Sequence, residues 1–102
     1  MMKEQLEKVI IRSDRAGVFY GELVSKSPLG DKYAVKLNNC RRIWYWAGAA
    51  SLSQLATDGV TRPGECLFTV VVSTMEIMGV IEILPCTPKS IKSIESVPVW
   101  KA

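Results

Sequence analysis

The sequence predicts an α+β domain: a curled antiparallel β-sheet, partly open and barrel-like, with two short helices. Three observations predict it. Short segments rich in β-branched and aromatic residues recur along the chain, several alternating apolar with polar, and Gly, Pro, Asn and Asp turn signals separate them. Helix-start signals stand out at two places, Ser51 with Gln54 and Thr87 with Pro88. The length of 102 residues suits one domain, taken as 1–102.

The first strand is Lys8–Arg12, stopped by the turn signal Ser13-Asp14-Arg15. Gly17–Lys26 alternates, with Phe19 and Leu23 on one side and Val18, Tyr20 and Val24 on the other. Ser27-Pro28-Leu29-Gly30-Asp31 reverses the chain, because Pro presets φ and Gly tolerates positive φ. Tyr33–Leu37 returns as the hairpin partner, Asn38-Asn39-Cys40 marks a bulge or second turn, and Arg41–Trp46 is a further strand. The first helix is expected from Ser51, whose side chain and that of Gln54 form a capping box, with Leu52, Leu55 and Ala56 as its apolar face and Asp58-Gly59 as its stop. Beyond the loop Thr61–Glu65, Cys66–Ser73 and Met75–Leu84 are two apolar strands. Thr87 caps a second helix with Pro88 at its first position, Ile91 and Ile94 facing in, Lys89 and Lys92 facing out, and Pro98 beyond its end.

Composition narrows the function. There are 13 Lys plus Arg against 10 Asp plus Glu, a formal charge of +3, too small an excess for the basic stripe of a duplex-DNA binder. That balance suits a small anionic ligand held by a few placed cations. The chain has no His, so the commonest general base and a common zinc ligand are both missing. Cys40, Cys66 and Cys86 form no CxxC pair and are expected to be reduced and buried as small hydrophobes. Glu76 and Glu82 in their apolar runs read as strand carboxylates facing solvent. No phosphate-binding glycine loop, signal peptide or membrane-length apolar run is present, and the expectation is a cytoplasmic protein that is not an enzyme and uses no cofactor or metal.

Two features point to binding. With 48% apolar residues and three Trp, the chain carries more apolar surface than a small monomer readily hides, which predicts a homo-oligomer of even number. The strands Cys66–Ser73 and Met75–Leu84 are apolar on both faces, and two short helices cover only one side of such a sheet. The second feature is Arg41-Arg42-Ile43-Trp44-Tyr45-Trp46 followed by the capped helix. On a strand, Arg42, Trp44 and Trp46 share one side and Arg41, Ile43 and Tyr45 the other. A guanidinium beside indoles offers a stacking face and a phosphate fork, and the helix start with Ser51, Ser53 and Gln54 offers N–H groups and hydroxyls to the same anion. The candidate ligand-binding residues are therefore Arg41, Arg42, Trp44, Trp46, Ser51, Ser53 and Gln54. The tryptophans and Ser51 also have plainer readings, since aromatic strands pack cores and a Ser at a helix start caps it. The adjacent arginines are harder to dismiss, because one of the two must turn toward the aromatic or core side and a buried Arg needs an anionic partner.

The segments AGVFYGELV from Ala16, CRRIWYWAGAASLSQLATDGV from Cys40, IEILPCT from Ile81 and the terminal VPVWK together resemble a family of small proteins of tailed bacteriophages and prophages. The chain is also similar to phage anti-defence sponge proteins, the anti-Thoeris and anti-CBASS inhibitors. That resemblance implies a homo-oligomer in the host cytoplasm that evades immunity by sequestering a cyclic nucleotide-type second messenger, a cyclic oligonucleotide or a cyclic ADP-ribose isomer, without cleaving it. The alternative from the residues is a small β-rich module that binds single-stranded nucleic acid or a phage protein partner through the same Arg and Trp side chains.

Overall fold

A computed structural model describes residues 5–102. Its strands are β1 (Lys8–Ser13), β2 (Gly17–Leu29), β3 (Lys32–Tyr45), β4 (Leu67–Phe68) and β5 (Val72–Pro85), and its helices are α1 (Leu52–Asp58) and α2 (Pro88–Ser96). A single 3-10 turn, Pro63–Glu65, precedes β4. The sheet runs β2-β1-β5-β3-β4, every strand pair antiparallel, and β2 also pairs with β3, so the four long strands close a circuit of pairings. This is the α+β class and the curled sheet with two short helices that the sequence predicts.

The curl has two local causes. Between β2 and β3 the register slips twice, from Tyr20–Arg41 to Glu22–Asn38 and from Leu23–Leu37 to Ser25–Lys36. Each slip is a bulge, and a bulge bends its strand and increases the twist. The first coincides with Asn39, whose φ of 48° lies in the left-handed region that Asn enters most readily. The interruption expected at Asn38–Cys40 is thus a bulge inside one continuous strand, and the two strands predicted on either side of it are both β3. The second cause is β5, which pairs with β3 through its first half and with β1 through its second, Val80 facing Tyr33 and Ser13 at the changeover.

Curling divides the core in two. Val9, Ile11, Phe19, Val35, Leu37, Cys40, Ile77 and Val80 are buried together inside the curl. Ile10, Tyr20, Ile43, Leu55, Phe68, Ile94 and Val97 are buried together between the sheet and the helices. β1 serves both, which is why three successive residues, Val9, Ile10 and Ile11, are completely buried. The alternation read in Gly17–Lys26 holds as far as Leu23, with Phe19 and Leu23 on the inner cluster and Val18 and Tyr20 on the helix side. Val24, expected beside Tyr20, is exposed and joins neither cluster, at the second register slip. One premise is corrected: the sheet face away from the helices is not left open, because the curl folds it onto itself.

The helices start as expected. Ser51 and Thr87 accept from the N–H groups of Gln54 and Ser90. Gln54 returns its side-chain oxygen to the N–H of Ala50, one residue before the cap. Gly59 ends α1 at a φ of 79°, its N–H reaching the Leu55 carbonyl. The expected strand Cys66–Ser73 shrinks to Leu67–Phe68. The carbonyls of Phe68, its last residue, and of Thr69 just beyond are drawn to Arg41, and Val70 and Val71 emerge at the surface.

Arg41 is 3% exposed and has no carboxylate partner among the described residues. Its guanidinium donates to four backbone carbonyls: Nε to Thr69 (3.0 Å), Nη2 to Phe68 (3.2 Å), and Nη1 to Ile94 (3.2 Å) and Val97 (3.1 Å). The expectation of an anionic partner is corrected: four carbonyl dipoles take its place. Two of these belong to the end of α2, where unpaired carbonyls and the negative end of the helix dipole favour a cation. α2 has no basic residue in its own last turn, and β3 supplies one. Burial pushes the guanidinium pKa down from its ordinary value.

At the other side of α2, Glu95 accepts from the Tyr20 hydroxyl (2.6 Å) and from Lys8 Nζ (2.7 Å). Burial, and then the Glu95 carboxylate, push the Tyr20 pKa well above its ordinary value of 10. Burial likewise pushes the Cys40 and Cys86 thiols up to about 11 from 9.

Replacing Arg41 with Met should lower unfolding free energy by about 3 kcal/mol or more, since buried carbonyls lose a charged donor. Urea denaturation of R41M beside R42M checks this, and equal losses in the two would contradict it. The raised Tyr20 and thiol pKa values place a stability contribution that is complete below about pH 9 and lost as pH climbs through 10 and beyond. Tyr20→Phe should cost about 1–2 kcal/mol at pH 7 and make the decline above pH 10 shallower, as read by denaturation midpoints from pH 7 to 11.

Candidate functional site

The seven candidate residues do not converge. Arg41 is spent on the carbonyls just described. Arg42 points the opposite way, its guanidinium carbon 4.5 Å from the centre of the Phe19 ring and Nη1 donating to the Ala16 carbonyl at 2.6 Å. Trp44 is 65% exposed and stacks on Trp100 near the C-terminus, ring centres 6.5 Å apart. Trp46 packs against the helix-side cluster that holds Ile43. The expectation that Arg42, Trp44 and Trp46 share a side is corrected at Trp46, because β3 ends at Tyr45 and strict alternation ends with it. Ser51, Ser53 and Gln54 sit at the exposed start of α1, where Ser51 and Gln54 are engaged as caps. Gln54 also lines a groove between the helices with Lys89, Lys92 and Ser93.

The structure gathers a different set around Arg42. A cleft of about 790 Å³ is lined by Arg42, by the β1–β2 turn (Asp14, Arg15, Ala16), by the β2–β3 hairpin tip (Leu29, Lys32) and by Met75–Gly79 of β5. Fully extended, the 13 residues of β2 would hold its two ends roughly 40 Å apart, yet Ala16, just before β2, and Leu29, at its end, line the same cleft. Only the bent strand brings them together, so the cleft is a product of the curl. The volume falls within the roughly 300–1,000 Å³ of small-molecule sites.

Three cations and two carboxylates line it: Arg15, Lys32 and Arg42 against Asp14 and Glu76. Lys32 and Asp14 are paired with each other, and this contact holds the Asp14 carboxyl below its ordinary pKa and the Lys32 ammonium above its own. Arg15 and Arg42 have no carboxylate partner among the described residues. Phe19, Leu29, Met75, Ile77 and Met78 supply the apolar lining. Cations beside apolar side chains fit a ligand that is anionic at one end and flat or greasy at the other. Outside the cleft, Glu82 is paired with Arg12 across β1 and β5 at the surface.

Sequence reasoning found Arg42 and missed its neighbours. Ser13-Asp14-Arg15 and Leu29–Lys32 were legible only as turns, and no periodicity in the chain relates one turn to the other. Gly79 closes the wall between them. Its φ is 73°, its carbonyl accepts from the Asp14 N–H at 3.0 Å, and a Cβ there would lie 2.5 Å from Asp14 Oδ1. Gly79→Ala should therefore cost about 1–3 kcal/mol through left-handed strain and a displaced Asp14. Denaturation midpoints check this, and an unchanged midpoint would show that the wall yields freely.

Among the described residues no helix is long and apolar enough to cross a membrane. Compared with known proteins, the chain matches no curated protein and no solved structure. It does match one family over most of its length. Residues 6–94 carry the pattern described as a domain of unknown function, DUF6948, and the chain belongs to that family.

Proposed function

We propose that this chain is a non-catalytic binding domain whose cleft around Arg42 captures a small anionic ligand of nucleotide type. The observation that carries the reading is the Arg42 guanidinium, laid over the Phe19 ring and free of any carboxylate among the described residues, at the edge of an apolar cleft of ligand size. The ring fixes the guanidinium plane at little cost, and the N–H groups not used on Ala16 are donors for phosphate. Arg15, on the adjoining turn, brings a second cation to the same rim.

The chemistry of the cleft favours capture over turnover. Asp14 is held ionised by Lys32, which suits a fixed charge better than a proton carrier, and the chain has no His. The Cys40 and Cys86 thiols stay protonated at neutral pH, because burial raises them to about 11. The resemblance to phage anti-defence sponge proteins adds the ligand class: a cyclic oligonucleotide or a cyclic ADP-ribose isomer, sequestered in the host cytoplasm to silence an immune signal.

Titration calorimetry against cyclic di- and trinucleotides, cyclic ADP-ribose isomers and linear mononucleotides tests this. At least one cyclic ligand should bind, and ligand recovered after heat denaturation of the complex should be intact. Arg42→Ala should weaken binding by about 1.5–3 kcal/mol, or roughly 10- to 150-fold, with the thermal transition retained. Absence of heat across the whole panel, or recovery of cleaved ligand, would reject the reading.

A further inference from the structure

The cleft leaves one prominent feature unused. Trp44 (65% exposed), Tyr45 (53%) and Trp100 (45%) stand at the β3–β4 edge of the sheet, where the N–H of Trp100 donates to the Phe68 carbonyl at 2.9 Å and Val99 bridges Phe68. Val99 beside them is about half exposed, as are Val70 and Val71, which follow Thr69; Thr69 and Trp100 line one small surface hollow. Stacking the two indoles hides only part of each ring. An apolar patch of this kind on a small domain marks a contact with another macromolecule.

We propose that the Trp44–Trp100 pair, with Val99, Val70 and Val71, is the contact surface of a two-fold homodimer of this chain. Area supports it. A Trp buries roughly 150–250 Å² when covered, so these five residues, each about half exposed or more, offer on the order of 500 Å², more than half of the ~800 Å² per partner of a standard interface. Charge supports it as well. A two-fold contact sets a patch against its own copy, so a charged patch would meet like charge, and the five residues here carry none. The same lack of charge disfavours single-stranded nucleic acid, whose sites line stacking aromatics with cations along the backbone path. Lys101 is the one cation beside the pair in sequence.

The dimer is separable from the cleft, since Trp44, Tyr45 and Trp100 do not line it. Sedimentation velocity of the full chain from 1 to 200 μM should show a reversible dimer, with tryptophan emission shifting to the red on dilution. Trp44→Arg, a change at an exposed position, should raise the dimer dissociation constant at least 30-fold, the scale of a central interface tryptophan, while the circular dichroism melt is kept. Because Trp100 also sits on the strand edge, Val70→Lys serves as a second variant, expected to weaken the dimer in the same direction. A wild-type monomer at 200 μM would overturn the proposal, as would a dimer that survives both substitutions. A monomer whose tryptophan emission responds instead to a single-stranded oligonucleotide would overturn it in favour of base stacking.

Discussion

The rest of the structure hangs on the Arg41 guanidinium. It is a buried cation without a counter-charge among the described residues, and it persists because four carbonyls from three parts of the chain converge on it: Phe68 in β4, Thr69 in the link that follows, and Ile94 and Val97 at the end of α2. The planar five-donor fork of Arg is the side chain able to satisfy that many separated acceptors at once. Without it, β4 would have two residues of ladder to hold it, and α2 would finish on unpaired carbonyls over an apolar core. The cation thus ties the last third of the chain to the central strand. The cost of burying it is offset by groups that would otherwise be costly themselves.

The neighbouring residue turns the same constraint into a site. Successive side chains of a strand point to opposite faces, so with Arg41 committed inward beneath α2, Arg42 is directed to the opposite face, above Phe19. The Arg42 N–H is itself anchored, donating to Thr69 Oγ1 at 2.9 Å. The cleft cation therefore stands on backbone locked from both sides, which is the preorganisation that a binding residue gains from. The remainder of the cleft comes from the curl. Bulges in β2 and β3 and the change of partner in β5 bring two distant turns to one rim. The curl also hides the inner apolar face of the sheet, and the chain satisfies most of its apolar content alone. What it leaves uncovered is concentrated where β3 meets the C-terminal segment.

Much of the fold was legible in the residues. Helix starts at Ser51 and Thr87 follow from local hydrogen bonds between residues three apart, which need no knowledge of the rest of the chain. The reversal at Gly30-Asp31, inside the expected Ser27–Asp31, and the faces of Val18, Phe19, Tyr20 and Leu23 follow from turn chemistry and period-two alternation, both short-range. The α+β class was readable in the same way. Cys66–Ser73 misled because its apolar run is typical of a strand, while the hydrogen bonds that a strand would need were taken by an arginine some 25 residues earlier.

What the sequence by itself determined is therefore local: which segments extend, which coil, where the helices begin, and that two arginines and two tryptophans share one short segment, Arg41–Trp46. Only the tertiary structure decided the roles within that segment. It made Arg41 a brace and Arg42 a cleft cation, packed Trp46 half-buried against the core, left Trp44 on the surface against Trp100, and set Arg15 and Lys32 beside Arg42. The physical reason is that a side chain's role depends on what lies across from it, and here that is set by bulges and strand pairings between residues far apart in the chain.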